Sequence, residues 1–283
     1  MLMTISLTGV AEKVFEETTT STSYLDDDVP IWTVGNKWKY DVDTLQFQLD
    51  ESGLLILMDL TMENLELEVL GSTATSYQLG VSGKIKGTFE FDDGAGIRIV
   101  GTLLFTSSDG TLQMRKADLA AEGGEIVIRS IALLTEHPLS VPVPIPLPLK
   151  ISMNVLQTMP RPLIDFPLYD GKINILSDAQ ISVNIKLESI VLKILHIFKP
   201  DIPEEILLDK EIGLPMLPYN ATMEQVTVEA GTYDAYNIKF LEGLFGSIYY
   251  APAVGNIIKA EANMEIPDQL LVDFHGELKE TNY

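Results

Sequence analysis

Histidine and carboxylate side chains are the residues of this sequence that could do chemistry, and their spacing matches no familiar site. The three histidines, His137, His196 and His275, are scattered, so a shared catalytic or metal role would require the fold to bring them together. The acidic runs at 26–28 and 92–93 could hold a hard cation such as calcium, but neither has the ligand spacing of a dedicated loop. We interpret both runs as solvated turns.

The motifs of the common enzyme classes are not found in the sequence. It has no Gly-x-Ser-x-Gly elbow, no phosphate-binding Gly-Lys-Ser/Thr loop and no His-Glu-x-x-His helix. It has no cysteine, which removes disulfides, thiolate nucleophiles and cysteine-bound zinc. An enzyme that uses buried carboxylates stays open because carboxylates are plentiful. The prediction is a protein without catalytic activity and without a cofactor.

The composition separates charge from apolar residues. The chain has 283 residues, with 41 acidic and 19 basic side chains for a net charge of -22, yet its mean hydropathy is +0.17. A surface this acidic argues against nucleic acid as a partner and against electrostatic docking on anionic lipids. The 46% of hydrophobic residues can form a sizeable core. We therefore expect the apolar residues to be concentrated inside and the acids outside.

The first 28 residues differ from the rest. Residues 1–11 are mostly apolar with no basic residue, which fits either a truncated secretion signal or an ordinary first strand or short helix. Residues 16–28 are rich in threonine, serine and then aspartate, as in a linker. We predict a signal remnant and linker over 1–28 and a single β domain over 29–283, with a sub-boundary near 138–168 left open.

Export is the localisation that these features favour: extracellular, cell surface or periplasmic. Asn220-Ala221-Thr222 is a glycosylation acceptor triplet, which is compatible with export, and Asn220 is the predicted attachment site. No stretch reaches the roughly 18 apolar residues of a membrane span. Peripheral association with a membrane stays open.

Alternation of apolar and polar residues with a period of two dominates the sequence after residue 36. It is clear at 40–50, 65–69, 77–81, 85–91 and 126–131. Turn signals separate these runs, as at Asp92-Asp93-Gly94, Asp109-Gly110 and Gly123-Gly124. Short turns between strands predict an antiparallel meander, because parallel strands need a crossover each time.

Proline alternates with aliphatic residues over 138–149. Because proline lacks the amide hydrogen, this segment cannot be a central strand and must be extended, polyproline-like or an edge. One interpretation is a structural arm packed over the sheet. The other is a rigid lip beside an apolar cavity, or a part that enters a membrane surface.

The spacing of apolar residues changes near residue 187. Apolar residues at i, i+3, i+4, i+7, i+8 and i+11 over 187–198 predict one face of an amphipathic helix. Asp201 with Glu204 is typical of a helix start. We expect helices over 189–198 and 203–210, or one broken pair, which either cover the concave side of the sheet or form a lid over a groove.

Three segments resemble one broad group of proteins. "VGNKWKYDVD" at 34–43, "AGTYDAYNI" at 230–238 and "YYAPAVGNIIKAE" at 249–261 resemble strands of exported prokaryotic proteins with a curved half-barrel sheet. That group includes periplasmic lipoprotein carriers and mycobacterial lipid-transfer lipoproteins. The resemblance implies a curved antiparallel sheet with helices in its concavity, which often holds acyl chains or other apolar ligands.

These observations together predict a mainly β protein: a large curved antiparallel sheet or half-barrel with one or two short helices and a proline-rich arm. The predicted function is the binding of an apolar small molecule or lipid in the concavity. The alternative is a structural or adhesive surface domain with a filled core. The predicted ligand-binding residues are Trp38, Tyr40, Ile190, Ile194, Phe198, Phe245, Tyr249 and Tyr250.

Overall fold

The structure is a computed structural model that describes residues 29–51, 54–92, 94, 96, 98–136, 145–198, 200, 203–241, 246–266 and 270–283. The predicted signal remnant and linker at 1–28 lie outside the described residues. So do Phe245 and residues 138–144 of the proline run.

The described chain contains strands throughout and a single helix. The strands before the helix are β1 (Lys37–Glu51), β2 (Leu54–Ser72), β3 (Ser76–Asp92), β4 (Arg98–Arg115), β5 (Ala121–Glu136), β6 (Ile145–Met159), β7 (Lys172–Leu176) and β8 (Ala179–Ser189). The helix is α1 (Ile190–Phe198). The strands after it are β9 (Glu205–Leu214), β10 (Leu217–Val228), β11 (Gly231–Phe240), β12 (Ser247–Ala251), β13 (Asn256–Ile266) and β14 (Leu270–Thr281).

All these strands form one antiparallel sheet in the order β7-β10-β11-β12-β13-β14-β1-β2-β3-β4-β5-β6-β8-β9. Two meanders, β1 to β6 and β10 to β14, meet where β14 pairs with β1. The sheet is curved and includes a small closed barrel. In the turn between β10 and β11, the Ala230 amide donates to the Leu278 carbonyl of β14 at 3.2 Å. The predicted class, a large curved antiparallel sheet, is confirmed.

The period-two alternation produces a buried face and a wet face on each long strand. On β3, the side chains of Tyr77, Leu79, Val81, Ile85 and Phe89 are buried, and the residues between them are exposed or half-buried. Because side chains alternate across a strand, this spacing puts every apolar residue on the same face. The curved sheet closes that face away from water.

Two of the predicted turns are wrong, because they lie inside strands. Gly110 lies within β4 and Gly124 within β5, and these strands pair with each other there. A Cβ on Gly110 would collide with the carbonyl oxygen of Glu125, and one on Gly124 would lie 2.6 Å from that of Thr111. The glycines therefore permit a close approach of two backbones and do not mark chain reversal.

The helix prediction is confirmed only in part. The single helix of the described residues, α1, has nine residues and follows β8, and its Leu192 is fully buried. The predicted second helix over 203–210 is wrong, since that segment is strand β9, which pairs with β8 from Ala179 to Glu188. The expected short helices in the concavity are not supported. Among the described residues no helix is long and apolar enough to cross a bilayer.

The described part of the proline run behaves as the missing amide hydrogens require. Pro146 and Pro148 lie in β6, opposite Leu133 and Ile131 of β5. The second neighbour, β8, pairs with β6 only from Leu149 onward. At the two prolines β6 is therefore an edge, and no ladder hydrogen bond is lost on the free side.

Three apolar clusters fill the buried face. The long-strand cluster contains Ile56, Leu60, Ile85, Phe89, Phe91, Ile99, Leu103, Ala132, Leu134, Leu149, Ile151, Ile185, Leu187, Leu192 and Leu208. The tryptophan cluster contains Trp32, Trp38, Val69, Tyr77, Leu79, Val228, Ala235, Ala251, Val254, Ile258 and Leu278. The barrel cluster contains Ile164, Leu168, Leu176, Leu217, Tyr219, Ala221, Tyr236, Ile238, Phe240, Ile248 and Tyr250.

The first testable prediction concerns Gly87 of β3, which has a φ of 142°. A Cβ there would collide with the carbonyl oxygen of Asp59 on β2. We expect Gly87→Ala to lower the free energy of unfolding by about 2 kcal/mol or more, because the paired backbones must separate. Gly213→Ala places its Cβ in open space and should change that energy by less than about 0.5 kcal/mol. Urea denaturation compares the two, and equal effects would contradict the prediction.

Candidate functional site

An apolar cavity of about 390 Å³ lies where the second meander meets β1 and β2. Six strands and the connection between β6 and β7 contribute to its wall. The lining residues are Tyr40, Val42, Leu65, Leu67, Leu163, Phe240, Gly246, Ile248, Asn256, Ile257, Ala260, Glu261, Ala262, Phe274 and Gly276. Most of these side chains are hydrocarbon, so the wall offers dispersion contacts and few hydrogen bonds.

Small residues at the centre of one cross-strand row create the hollow. Ile248, Ala260, Gly276 and Val42 are successive partners across β12, β13, β14 and β1. The two inner positions carry one methyl group between them. A Cβ on Gly276 would lie 3.0 Å from the Phe274 ring and 3.3 Å from Val42, so the space beside that ring depends on glycine.

Tyr40 is one of the lining residues and carries a hydroxyl group. The hydroxyl donates to the backbone carbonyl of Ile257, another lining residue, at 2.9 Å. Burial raises the pKa of Tyr40 well above its ordinary value, so the phenol stays neutral. The group is therefore polar but uncharged.

The segment 160–168, which we call the strap, connects β6 to β7 and carries Leu163 to the cavity. Leu163 is 48% exposed, while Ile164 and Leu168 are buried in the barrel cluster. The buried guanidinium of Arg161 donates to the carbonyls of Ser177 at 2.5 Å and Pro215 at 2.8 Å. These bonds hold the first part of the strap on the ends of β7 and β9.

The second part of the strap is held by a polar network around the buried side chain of Lys172. The ammonium group of Lys172 donates to the carbonyls of Asp165 at 2.5 Å and Pro167 at 2.9 Å. The Asp165 carboxylate lies 2.9 Å from Lys172 and accepts hydrogen bonds from Asn174 at 2.6 Å and Tyr219 at 3.0 Å. Burial by itself would raise the pKa of Asp165, but these bonds outweigh it and hold the pKa below its ordinary value.

The predicted ligand-binding residues fall into separate places. Tyr40 lines the cavity. Trp38 and Tyr250 are buried in the tryptophan and barrel clusters, and Trp38 donates its indole hydrogen to the Val254 carbonyl at 3.0 Å. Neither residue lines the cavity.

The remaining predicted residues lie elsewhere or outside the described part. Tyr249 is half-buried beneath Lys259, whose ammonium group lies 5.9 Å from the ring centre. Ile190 is 45% exposed at the start of α1. The side chains of Ile194 and Phe198, and the whole of Phe245, are not among those described.

Sequence reasoning missed most of the wall, including Leu65, Leu67, Ala260, Phe274 and Gly276. The leucines read as ordinary inward positions of a strand, and they are. The sequence signal that could have indicated a hollow was alanine or glycine at inward positions of two successive strands. Its meaning depends on the pairing of β13 with β14, which places Ala260 opposite Gly276.

Asn220, the predicted glycosylation site, lies in β10 between β7 and β11. Its side-chain oxygen is buried without a hydrogen-bond partner among the described residues. Glycosylation acceptors usually lie on surface loops, and a paired strand position does not favour attachment. Glycosylation of Asn220 stays a prediction.

The histidines are not brought together. His275 of β14 lies 3.5 Å from Asp43, 3.7 Å from Glu277 and 3.8 Å from Glu261, whereas His196 on α1 lies 3.5 Å from Glu204. His137 is outside the described residues. Within the described ranges, no group of three or more acidic or histidine side chains is arranged to hold a metal ion.

Comparison of the chain with protein-family models, with curated proteins and with solved structures gave no match. The resemblance to lipoprotein carriers and lipid-transfer lipoproteins therefore stays a prediction.

The second testable prediction is that Asp165 stabilises the fold in a pH-dependent way. Because its pKa is below the ordinary 3.8, ionised Asp165 stabilises the native state at neutral pH, and this gain is lost as pH falls through the folded-state pKa. We expect Asp165→Asn to cost about 1 kcal/mol at neutral pH and much less near pH 2. Urea denaturation at the two pH values measures the difference.

The matched control is Asp209→Asn, since Asp209 is exposed on the edge strand β9. It should leave the free energy of unfolding within about 0.5 kcal/mol at both pH values. A cost for Asp165→Asn that does not change with pH would show that the carboxylate charge is not what anchors the strap.

Proposed function

We propose that the protein binds an apolar ligand, a lipid or acyl chain, in the cavity and catalyses no reaction on it. The observation that supports the proposal is the hydrocarbon wall, which surrounds a cavity volume of about 390 Å³. Ligand pockets typically span about 300–1,000 Å³. A cavity of about 150 Å³ holds benzene, so by proportion this one accommodates about 15 carbon atoms.

The driving force would be the transfer of hydrocarbon from water into a preformed wall. Each buried methylene contributes about 0.8 kcal/mol. The strap and the cross-strand row are held by hydrogen bonds and ladder pairing, so little ordering free energy is spent on binding. The net charge of -22 would keep the loaded protein soluble.

Export to the cell surface, periplasm or medium is part of the proposal, as is peripheral contact with a membrane. Exposed apolar side chains near the cavity support such contact: Leu163 lies on the strap, and Leu241 follows the lining residue Phe240. Apolar side chains of this kind can insert among lipid headgroups without help from basic residues.

An adhesive or structural domain is the second candidate function. A row of exposed apolar side chains on β7 and directly after β11 favours it. Ile173 is 74% exposed and Ile175 is 60% exposed. Ile175 lies opposite Pro218 of β10, and the carbonyl of Pro218 accepts a hydrogen bond from the amide of Leu241, which is also exposed. Such a row is typical of a protein contact surface. In that case the protein would associate with itself or a partner and take up no ligand.

The two functions are separated by a ligand experiment on the full chain. Mass spectrometry of an organic extract of the purified protein should show bound lipid, and the neutral dye N-phenyl-1-naphthylamine should fluoresce on binding the delipidated protein. A clean extract together with no dye uptake would overturn the proposal. Self-association in sedimentation velocity, with no uptake, would support the adhesive function.

The third testable prediction fills the cavity. Ala260 lies at the centre of the small-residue row, so Ala260→Phe should occupy the hollow and weaken dye binding by at least about tenfold. Fluorescence titration measures the affinity, and circular dichroism checks that the fold is retained. Ala253→Phe makes the same change at an exposed turn residue and should bind as the parent does. Equal affinities for all three proteins would place the dye elsewhere.

A further inference from the structure

The hydrogen bond of Tyr40 restricts what its hydroxyl group can do for a ligand. A phenol has one hydrogen to donate, and its partner here is a backbone carbonyl, which can only accept. The direction of the bond is therefore forced, and the proton of Tyr40 is committed to Ile257. The remaining lone pairs of the phenolic oxygen can only accept a hydrogen bond.

The cavity wall also lacks positive charge among the described residues. Among the described residues that line it, none is basic and Glu261 is the single acid. The neighbouring Lys259 is already paired, at 2.9 Å from Glu261 and 3.2 Å from Glu277. A ligand carboxylate would thus enter an apolar wall with no cation to pair with and would lose its hydration.

From these two observations we propose that the ligand carries an uncharged hydroxyl group, which donates to the phenolic oxygen of Tyr40. The ligand class is then a neutral lipid alcohol, and ionised fatty acids are disfavoured. This inference rests on the proposed function, since it names the chemistry of the ligand that the cavity would hold.

Other polar ends fit the oxygen of Tyr40 less well. An ether or ester oxygen can only accept, and so it faces another acceptor at Tyr40. An ammonium group can donate, but burying its charge in a hydrocarbon wall costs free energy that no lining carboxylate clearly offsets, because Glu261 is already bound to Lys259. Of these polar ends, the hydroxyl group alone combines a donor with no net charge.

The fourth testable prediction is a rank order of three probes with equal alkyl chains. Decanol, decyl methyl ether and decanoate are each used to displace N-phenyl-1-naphthylamine from the full-length delipidated protein at about pH 8, where decanoate is ionised. We expect decanol to bind about fivefold more tightly than the ether, the value of one hydrogen bond. Decanoate should bind at least about tenfold more weakly than decanol.

The variant that tests the role of Tyr40 is Tyr40→Phe. It should abolish the preference for decanol over the ether, whereas the affinity for the ether changes little. The control is Tyr233→Phe, because the Tyr233 hydroxyl also donates to a backbone carbonyl, that of Ala230 at 3.0 Å, but does not line the cavity. The control should keep the full preference. The ratio for the parent protein tests the inference even if Tyr40→Phe does not fold.

The outcomes distinguish this inference from the proposed function. If decanoate binds as tightly as decanol, or if decanol and the ether bind equally, the hydroxyl inference is overturned while cavity binding stands. A preference that persists in Tyr40→Phe also overturns it. If neither the dye nor any probe binds, the proposed function fails, and the inference fails with it.

Discussion

The pairing of β14 with β1 is the interaction on which the rest of the structure depends. It runs from Trp38 opposite Thr281 to Leu49 opposite Leu270 and joins the two meanders into one sheet. Without it, each meander would expose one more unpaired edge, and unpaired edges invite association with other chains. The same ladder places Val42 beside Gly276, so the cavity wall exists only when both halves of the chain have paired.

The joined sheet also explains how an acidic chain can have a positive mean hydropathy. Its buried face carries the three apolar clusters, while the outer face carries the charges, many of them in cross-strand pairs such as Lys39 with Glu280 and Lys186 with Glu205. Exposed pairs of this kind each contribute less than about 1 kcal/mol. Their effect is to keep the outer face wet and to fix the register, since a slip of one residue would bury charge.

The sequence predicted the class of fold because alternation is a local signal, and α1 because its apolar spacing is local too. It misled where the deciding contact is distant. Gly110 and Gly124 resemble turn residues in the sequence, but they lie where β4 pairs with β5. The helix predicted over 203–210 is replaced by strand β9, because β8 pairs with that segment along its length. Among the predicted ligand residues, Tyr40 reached the cavity as an inward aromatic of β1. The alanine and glycine that create the hollow gain their meaning from pairing that no local pattern reveals.

A hollow in such a sheet is costly unless something occupies it. Ala260 and Gly276 are partners in the ladder between β13 and β14, so the space at this point comes from small side chains. Apolar side chains that face a hollow lose part of their packing contacts, which costs free energy. Water that fills the hollow would find few hydrogen-bond partners in a hydrocarbon wall. An apolar ligand with one hydroxyl group, as we propose, would restore those contacts and pair with the free lone pairs of Tyr40.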